Sequence, residues 1–238
     1  MPNVHPARTR AVVRAGVRRW AAKQLAADVA SGGLLFLVAG TPRWTGGWRF
    51  IALAVASKSL QGILFGRRRP ELLAERSGPG EGADPSDIPL ALAMAYGPLV
   101  ESLAAAVEHR RGRSNAVHPA WTAAGLGSAA GALALSLSAM DANPYFAPVL
   151  RIQAERGHVV ADAGPYALLR HPGYAGAILA NLAIPPLLGS RAAVPFAAAG
   201  VVDALVRTVR EDRFLAAHLP GYGSYAQRVL WRLLPGVW

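Results

Sequence analysis

The hydrophobic residues of this chain gather into long runs, and polar stretches rich in arginine separate those runs. Six runs follow residue 24, and several approach the ~20 apolar residues that a helix needs to cross a bilayer. They lie at residues 25–40, 47–65, 88–107, 121–140, 174–190 and 192–206. The pattern predicts an all-α fold, a polytopic membrane helix bundle with about six transmembrane helices.

Polar segments flank and interrupt these runs. Residues 1–24 mix arginines with apolar residues, which predicts a basic amphipathic helix on the membrane surface. Residues 25–140 hold the first four predicted spans. Residues 151–174, named here the polar strip, cannot lie in lipid, and a polar connection between spans is where irregular backbone and chemistry occur together. We expect the active site in the polar strip.

Composition agrees with a membrane protein. The chain is 53% hydrophobic and only 16% charged, whereas soluble domains are about a quarter charged. The net charge of +11 comes mostly from arginines that flank the apolar runs. That placement favours membrane lipid as a partner and argues against nucleic acid. The absence of Cys excludes disulfides and a cysteine nucleophile.

The distribution of Lys and Arg predicts an orientation. With six spans and a cytoplasmic N-terminus, 18 of these residues fall on the inner side and 6 on the outer side. Such a bias marks the cytoplasmic face, so the polar strip and residues 207–238 are expected there. The loop at residues 109–114, HRRGRS, is the exception, and two explanations are open: the rule is overridden there, or one span is a re-entrant hairpin.

Two features inside the runs predict helix contacts. Gly127 and Gly131 form a small-xxx-small pair that suits close packing in lipid. Lys58 and Glu101 are ionisable residues within apolar runs, where an unpaired charge is costly. We expect Lys58 and Glu101 to pair with each other. The second interpretation is that they line a substrate pocket.

Three places in the C-terminal part can carry chemistry. His171-Pro172 precedes an apolar run and predicts a helix start, whose free N–H groups suit a carboxylate or phosphate. Arg207 and Glu211 stand four residues apart on one helix face, in the poorer order for an ion pair. Arg207 has a planar fork that can hold a carboxylate bidentately.

Each of these side chains also has a simpler interpretation. Taken singly, His158 and His171 are better explained as loop histidines bonded to backbone. Tyr166 and Tyr174 are equally well explained as interfacial anchors. No metal site is expected, because no Cys, His or carboxylate completes a tight cluster with the histidines.

Several motifs occur in a characteristic order. They are GHVVxxxGPYxxxRHPGY (157–174), RTVRED (207–212), LxxxxxGYxxY (215–225) and RLLP (232–235), with WxxGW (44–48), RRPELLAER (68–76) and NPYF (143–146) upstream. In this order they resemble the isoprenylcysteine carboxyl methyltransferase family, and the upstream motifs look like its bacterial members.

The resemblance implies an integral membrane enzyme that transfers the methyl group of S-adenosyl-L-methionine without a Rossmann domain. Residues 141–238 would be the methyltransferase core, with the cofactor-binding strip, a helical hairpin and a C-terminal cap around a cytoplasmic pocket. Arg207 matches the catalytic arginine beside the acceptor carboxylate. The positions that match cofactor contacts are Gln153, His158, Val159, Val160, Ala161, Tyr166, His171, Pro172, Gly173, Tyr174 and Glu211. The location expected is a bacterial inner membrane.

The sequence leaves the identity of the methyl acceptor open. A lipophilic or small-molecule carboxylate is expected, and a thiol or a phospholipid amine is the alternative. Two other classes are a sterol-reductase-like enzyme that uses NADPH and a non-catalytic membrane scaffold. Oligomeric state is not predicted.

Overall fold

The computed structural model describes residues 10–78, 82–113 and 118–238. Within them the chain forms eight α-helices and no strand. The helices are α1 (Arg10–Ala39), α2 (Thr45–Arg68), α3 (Pro70–Glu75), α4 (Ile88–Arg110), α5 (Pro119–Ala142), α6 (Pro172–Leu188), α7 (Val194–His218) and α8 (Tyr222–Arg228). Short 3-10 turns occupy Pro85–Asp87, Ala154–Arg156 and Gly164–Ala167. The all-α prediction is confirmed.

Helix α1 joins two segments that the sequence predicts as separate. The basic stretch from Arg10 runs without a break into the first apolar run, giving one helix of 30 residues and roughly 45 Å. No proline interrupts it, and Gly32 and Gly33 only lower helix propensity. The helix is continuous across the boundary predicted at residue 24, which remains a prediction, and residues 1–9 lie outside the described residues.

Three helical segments are long and apolar enough to cross a membrane: Arg10–Ala39, Pro85–Arg110 and Pro119–Ala142. Helix α6 is apolar but shorter, with 17 residues. In the described residues, length and composition therefore support three spans. The prediction of about six spans remains a prediction.

The connections between helices lie at two ends of the bundle. At one end, named here the opposite end, Trp44 after α1 stacks on His109 of α4 with ring centroids 5.0 Å apart. Glu108 of α4 there accepts a hydrogen bond from the Ala192 N–H before α7, at 3.1 Å. At the other end, named the site end, lie α3, the polar strip and the C-terminal tail. Residues 109–110 of the arginine-rich loop are thus at the opposite end from the polar strip.

Helices α5 and α6 approach closely through glycines other than the predicted pair. A Cβ on Gly125 would lie 2.9 Å from the Leu187 side chain, and one on Gly176 would lie 2.5 Å from Ser136 Oγ. A Cβ on Gly127 would meet nothing within 4 Å, and one on Gly131 would make an ordinary contact. Among the described residues, Gly127 and Gly131 therefore do not make the tight packing that the sequence predicts. Composition marked the right helix, but not which face of it meets α6.

The predicted pairing of Lys58 with Glu101 is also wrong. Lys58 Nζ lies 2.6 Å from Asp28 Oδ1, so this ion pair joins α2 to α1. Glu101 is fully buried in α4, and no described residue gives its carboxylate oxygens a hydrogen bond. The sequence showed that an unpaired charge within an apolar run is costly. It gave no information on which helices are neighbours.

Helix α3 forms the floor of the site end. Leu72 and Leu73 are buried with Trp20 of α1 and Met140 of α5. A Cβ on Gly16 would lie 2.6 Å from the Ala74 Cβ, so α1 and α3 are in direct backbone contact there. This six-residue helix is thus fixed in the core. Its last residue, Glu75, contacts the polar strip.

Candidate functional site

Residues 143–150 lead from the end of α5 to the polar strip, which crosses the site end and enters α6 at Pro172. Between its two short 3-10 turns the strip has neither helical nor strand structure. The C-terminal tail pairs with the end of the strip, because the N–H groups of Arg170 and His171 donate to the carbonyls of Trp231 and Arg232 at 2.9 and 3.0 Å. Tyr225 of α8 donates its hydroxyl hydrogen to the Tyr166 carbonyl at 2.8 Å. The strip and the tail thus form one layer.

The start of the strip is anchored to α3. Arg151 Nη1 lies 3.1 Å from Glu75 Oε1, and both side chains are buried. Arg151 also contacts Glu155 on the strip. Removing either partner of such a buried pair leaves an uncompensated charge, so the RRPELLAER segment (68–76) is structurally part of the site end.

Asp212 is the centre of the layer. Its carboxylate accepts hydrogen bonds from Tyr222 Oη at 2.8 Å and Arg232 Nε at 2.9 Å. Arg170 Nη1 lies 3.0 Å from it, and His171 Nε2 lies 3.2 Å from it. Burial opposes ionisation, but the hydrogen bonds from His171, Tyr222 and Arg232 outweigh it and hold the pKa of Asp212 well below its usual range.

These contacts determine the tautomer of His171. An ionised carboxylate only accepts hydrogen bonds, so Nε2 carries the hydrogen that points to Asp212. Burial, followed by the charge of Asp212, raises the pKa of Tyr222, which keeps its hydroxyl protonated as a donor. In the neutral ring, Nδ1 is then an acceptor. His171 is 5% exposed and stands immediately before α6.

Tyr174 and Glu211 connect the two main motifs. The Tyr174 hydroxyl, in the first turn of α6, donates to Glu211 Oε2 on α7 at 2.6 Å. The structure therefore brings the start of α6, with His171 and Tyr174, next to Glu211 of α7. Gly173 allows the start of α6 to lie against Phe146, because a Cβ there would be 2.7 Å from the Phe146 ring.

Arg207 lies one turn before Glu211 on α7, and its guanidinium is already paired. Nη2 donates to Asp87 Oδ2 at 2.8 Å, and Nε donates to Oδ1 at 3.3 Å. The ring of Tyr174 lies under the guanidinium, with its centroid 5.5 Å from Cζ. The fork that the sequence assigns to an acceptor carboxylate thus holds the carboxylate of Asp87.

Gln153 and His158 form a separate cluster. Gln153 is fully buried, donates to the Tyr145 carbonyl at 2.7 Å and accepts from Arg156. His158 stacks on Tyr145 with centroids 4.3 Å apart, and its Nδ1 accepts from the Gln153 N–H at 3.2 Å. Burial, then the charges of Arg156 and Arg151, lower the pKa of His158 to about 4. A cofactor contact by the Gln153 side chain would require it to exchange these partners.

Val159, Val160 and Ala161 follow this cluster, outside any helix or strand. Their N–H and C=O groups make no hydrogen bond with another described residue. The side chain of Val159 is exposed at 62%, whereas Val160 packs on the apolar cluster of the C-terminal cap around Tyr222 and Tyr225. The segment thus presents free backbone donors and acceptors at the surface of the site layer.

Tyr166 lies beneath the layer. It is buried, and its hydroxyl accepts a hydrogen bond from Asn143 Nδ2 at 3.3 Å. Burial raises the pKa of Tyr166, so its hydroxyl stays protonated. This position joins the strip to the end of α5.

Sequence reasoning missed three site residues: Glu75, Asp87 and Asp212. Asp212 follows Glu211 directly in RTVRED (207–212), so the motif contained it without giving it a role. Asp87 stands before an Ile-Pro pair that opens a long apolar run, but its partner Arg207 is 120 residues away. No group of three His, Asp or Glu side chains in the described residues is arranged to hold a metal.

Comparison with known proteins supports the resemblance in this part of the chain. A stretch of 82 residues is 35% identical to the cobalt-zinc-cadmium resistance protein CzcN of Cupriavidus metallidurans. That stretch is 33% of this chain and 37% of the relative, so the chain spans well under half of that protein. Residues 126–217 match the model of the isoprenylcysteine carboxyl methyltransferase (ICMT) family. This match, which runs from α5 into α7, confirms the family resemblance predicted from the sequence.

Proposed function

We propose that this protein is an integral-membrane methyltransferase that transfers the methyl group of S-adenosyl-L-methionine to a lipophilic or small acceptor. The observation that carries the proposal is the hydrogen bond of 2.6 Å between Tyr174 and Glu211. It joins the end of the RHPGY motif to the RTVRED motif, inside the segment that matches the family model. The two motifs are 33 residues apart in the sequence and adjacent in the fold.

The site layer offers groups that fit this cofactor. The free backbone of residues 159–161 can pair with the edge of an adenine ring. Glu211 carries a carboxylate for ammonium or hydroxyl donors. The start of α6 offers the Gly173 N–H and the positive end of the helix dipole to a carboxylate. In the neutral ring of His171, Nδ1 is an acceptor, because Nε2 carries the hydrogen that points to Asp212.

In methyl transfer, the main tasks of these residues are to position the donor and the acceptor and to exclude water. When bound, the cofactor supplies a methyl group made electrophilic by a sulfonium. The protein residues then align the acceptor with that methyl group and exclude water. Arg207 is the group proposed to hold an acceptor carboxylate. Because a carboxylate is ionised at neutral pH, this acceptor needs no general base.

The proposed location is the cytoplasmic side of a bacterial inner membrane. The count of 18 inner against 6 outer Lys and Arg residues supports it. The site end also lies beside the basic first half of α1, because Gly16 of α1 contacts Ala74 of α3. A soluble donor from the cytosol reaches the site layer from that side.

Calorimetry on the purified protein in detergent tests the proposal. S-adenosyl-L-methionine and its demethylated product should bind, and NADPH, the cofactor of the reductase alternative, should not. Glu211→Gln should weaken donor binding by about tenfold to a hundredfold, the range for one lost charge-assisted hydrogen bond. Tyr174→Ala should also weaken it, whereas Arg207→Lys should retain it and lose turnover.

Matched variants control for general damage. Glu71→Gln changes an exposed carboxylate of α3, and Tyr96→Ala changes an exposed tyrosine of α4. Both should bind the donor as the unmodified protein does. If folded protein binds neither S-adenosyl-L-methionine nor its product, the methyltransferase proposal fails.

A further inference from the structure

The hydrogen bonds of Arg207 leave only one of its nitrogens available. A guanidinium has five N–H groups. Nε and Nη2 donate to Asp87, and the second hydrogen of Nη2 goes to the Pro148 carbonyl at 3.0 Å. The one contact of Nη1 with a described residue is the Met94 sulfur at 3.4 Å, and a thioether is a weak acceptor. The remaining capacity for strong hydrogen bonds is therefore on Nη1.

Asp87 is itself held in place. It is 2% exposed, and its Oδ2 accepts a second hydrogen bond from the Leu150 N–H at 2.9 Å. The Leu150 carbonyl in turn accepts from the Asp84 N–H at 2.9 Å. The carboxylate thus connects the start of α4 to the segment before the polar strip. With Tyr174 under the guanidinium, Arg207 is fixed by three separate parts of the chain.

From this arrangement we infer that Asp87 is a positioning residue for Arg207. It occupies the Nε–Nη2 edge and leaves Nη1 to bind one oxygen of an acceptor carboxylate. The inference rests on the proposed function and replaces the bidentate contact expected from the sequence. Binding one oxygen leaves the other unbound, so the acceptor keeps a free nucleophilic oxygen. The matching probe is a lipophilic molecule that ends in a single carboxylate.

The experiment measures binding of palmitate labelled at its carboxyl carbon, by nuclear magnetic resonance of the full chain in detergent. The unmodified protein should bind it, and Arg207→Gln should abolish binding. Asp87→Asn should weaken binding about tenfold or more while donor affinity stays within about twofold. Asp87→Glu keeps the carboxylate and should recover part of the affinity for palmitate. Glu71→Gln, which changes an exposed carboxylate of α3, is the control.

The outcomes separate this inference from the proposed function. If the unmodified protein binds S-adenosyl-L-methionine but not palmitate, the inference is overturned and the proposed function stands. Palmitate binding that is unchanged or stronger in Asp87→Asn also overturns it, because Asp87 would then compete with the acceptor. Equal loss of donor and palmitate affinity in Asp87→Asn and Asp87→Glu would show a role in folding alone. If the unmodified protein does not bind S-adenosyl-L-methionine, the proposed function itself is overturned.

Discussion

Asp212 accepts hydrogen bonds or ion pairs from side chains of the strip, α8 and the tail. Its partners Arg170 and His171 end the polar strip, Tyr222 opens α8, and Arg232 lies near the end of the chain. One carboxylate thus fixes the layer that contains the proposed cofactor groups. Because the cluster is buried, removing the negative charge of Asp212 leaves the positive charges of its arginine partners uncompensated.

Asp212→Asn should therefore destabilise the protein by about 3–5 kcal/mol, the cost of breaking a buried ion pair. Thermal or denaturant unfolding in detergent measures this. Arg228→Gln is the comparison, because it removes a surface pair with Asp162 whose side chains are 63% and 56% exposed. Such a pair is worth about 0–1 kcal/mol. Equal effects of the two substitutions would contradict the central role of Asp212.

His158 gives the site end a dependence on pH. Its folded pKa of about 4 lies below its ordinary value of 6.5, so between these values the unfolded chain binds more protons than the folded chain. Stability from this group is complete above pH 6.5 and is lost as pH falls towards 4. Melting temperature should fall across that window, on the order of a few degrees.

The variant that tests this is His158→Gln, which cannot take up the proton. Its melting temperature should fall less between pH 6.5 and 4 than that of the unmodified protein. His218→Gln, at an exposed histidine of α7, should follow the unmodified protein. Identical slopes for all three proteins would show that His158 does not contribute.

Several site residues were predictable from the sequence, and their partners were not. The order of motifs predicted that His171, Tyr174, Arg207 and Glu211 belong together, and the structure brings them together. Asp87 is 120 residues from Arg207, and no local periodicity links them. The motif order lists family positions, but hydrogen-bond partners depend on which segments the fold places side by side.

At the scale of elements, helix α3 could not be predicted from hydrophobic periodicity. It has only six residues, too few for a 3.6-residue pattern to be read. The prediction placed these residues in a connection after the second apolar run. Proline at its first position and Leu72 and Leu73 in the core explain why it forms. Long helices were predictable because each repeats the apolar signal many times.

The contact between α1 and α3 should tolerate no larger side chain. Gly16→Ala places a Cβ 2.6 Å from the Ala74 Cβ, so the helices must separate, at a cost of about 1–3 kcal/mol. Gly33→Ala in the same helix meets nothing within 4 Å and should stabilise by about 1 kcal/mol or less through helix propensity. Unfolding in detergent compares the two. A more stable Gly16→Ala protein would contradict the packing of α3.

For the whole molecule, the layout of the two ends bears on orientation. The polar strip, α3 and the tail lie at the site end, and the connection between α1 and α2 lies at the opposite end with His109. The order of the hydrophobic runs predicted that residues 109–110 lie opposite the polar strip, whereas the arginine count did not, because this loop is its exception. Which helices cross the bilayer depends on lipid contacts that neither helix length nor composition determines.

Cysteine labelling in intact cells tests the orientation, because the chain has no Cys of its own. Asp162→Cys lies on the exposed part of the polar strip, and Arg43→Cys lies in the connection at the opposite end. A membrane-impermeant maleimide should label position 43 from outside and position 162 only after the membrane is opened. The physical reason is that Lys and Arg near the spans are retained on the cytoplasmic side. Labelling of position 162 from outside would place the site layer away from the cytosolic donor and overturn the proposed location.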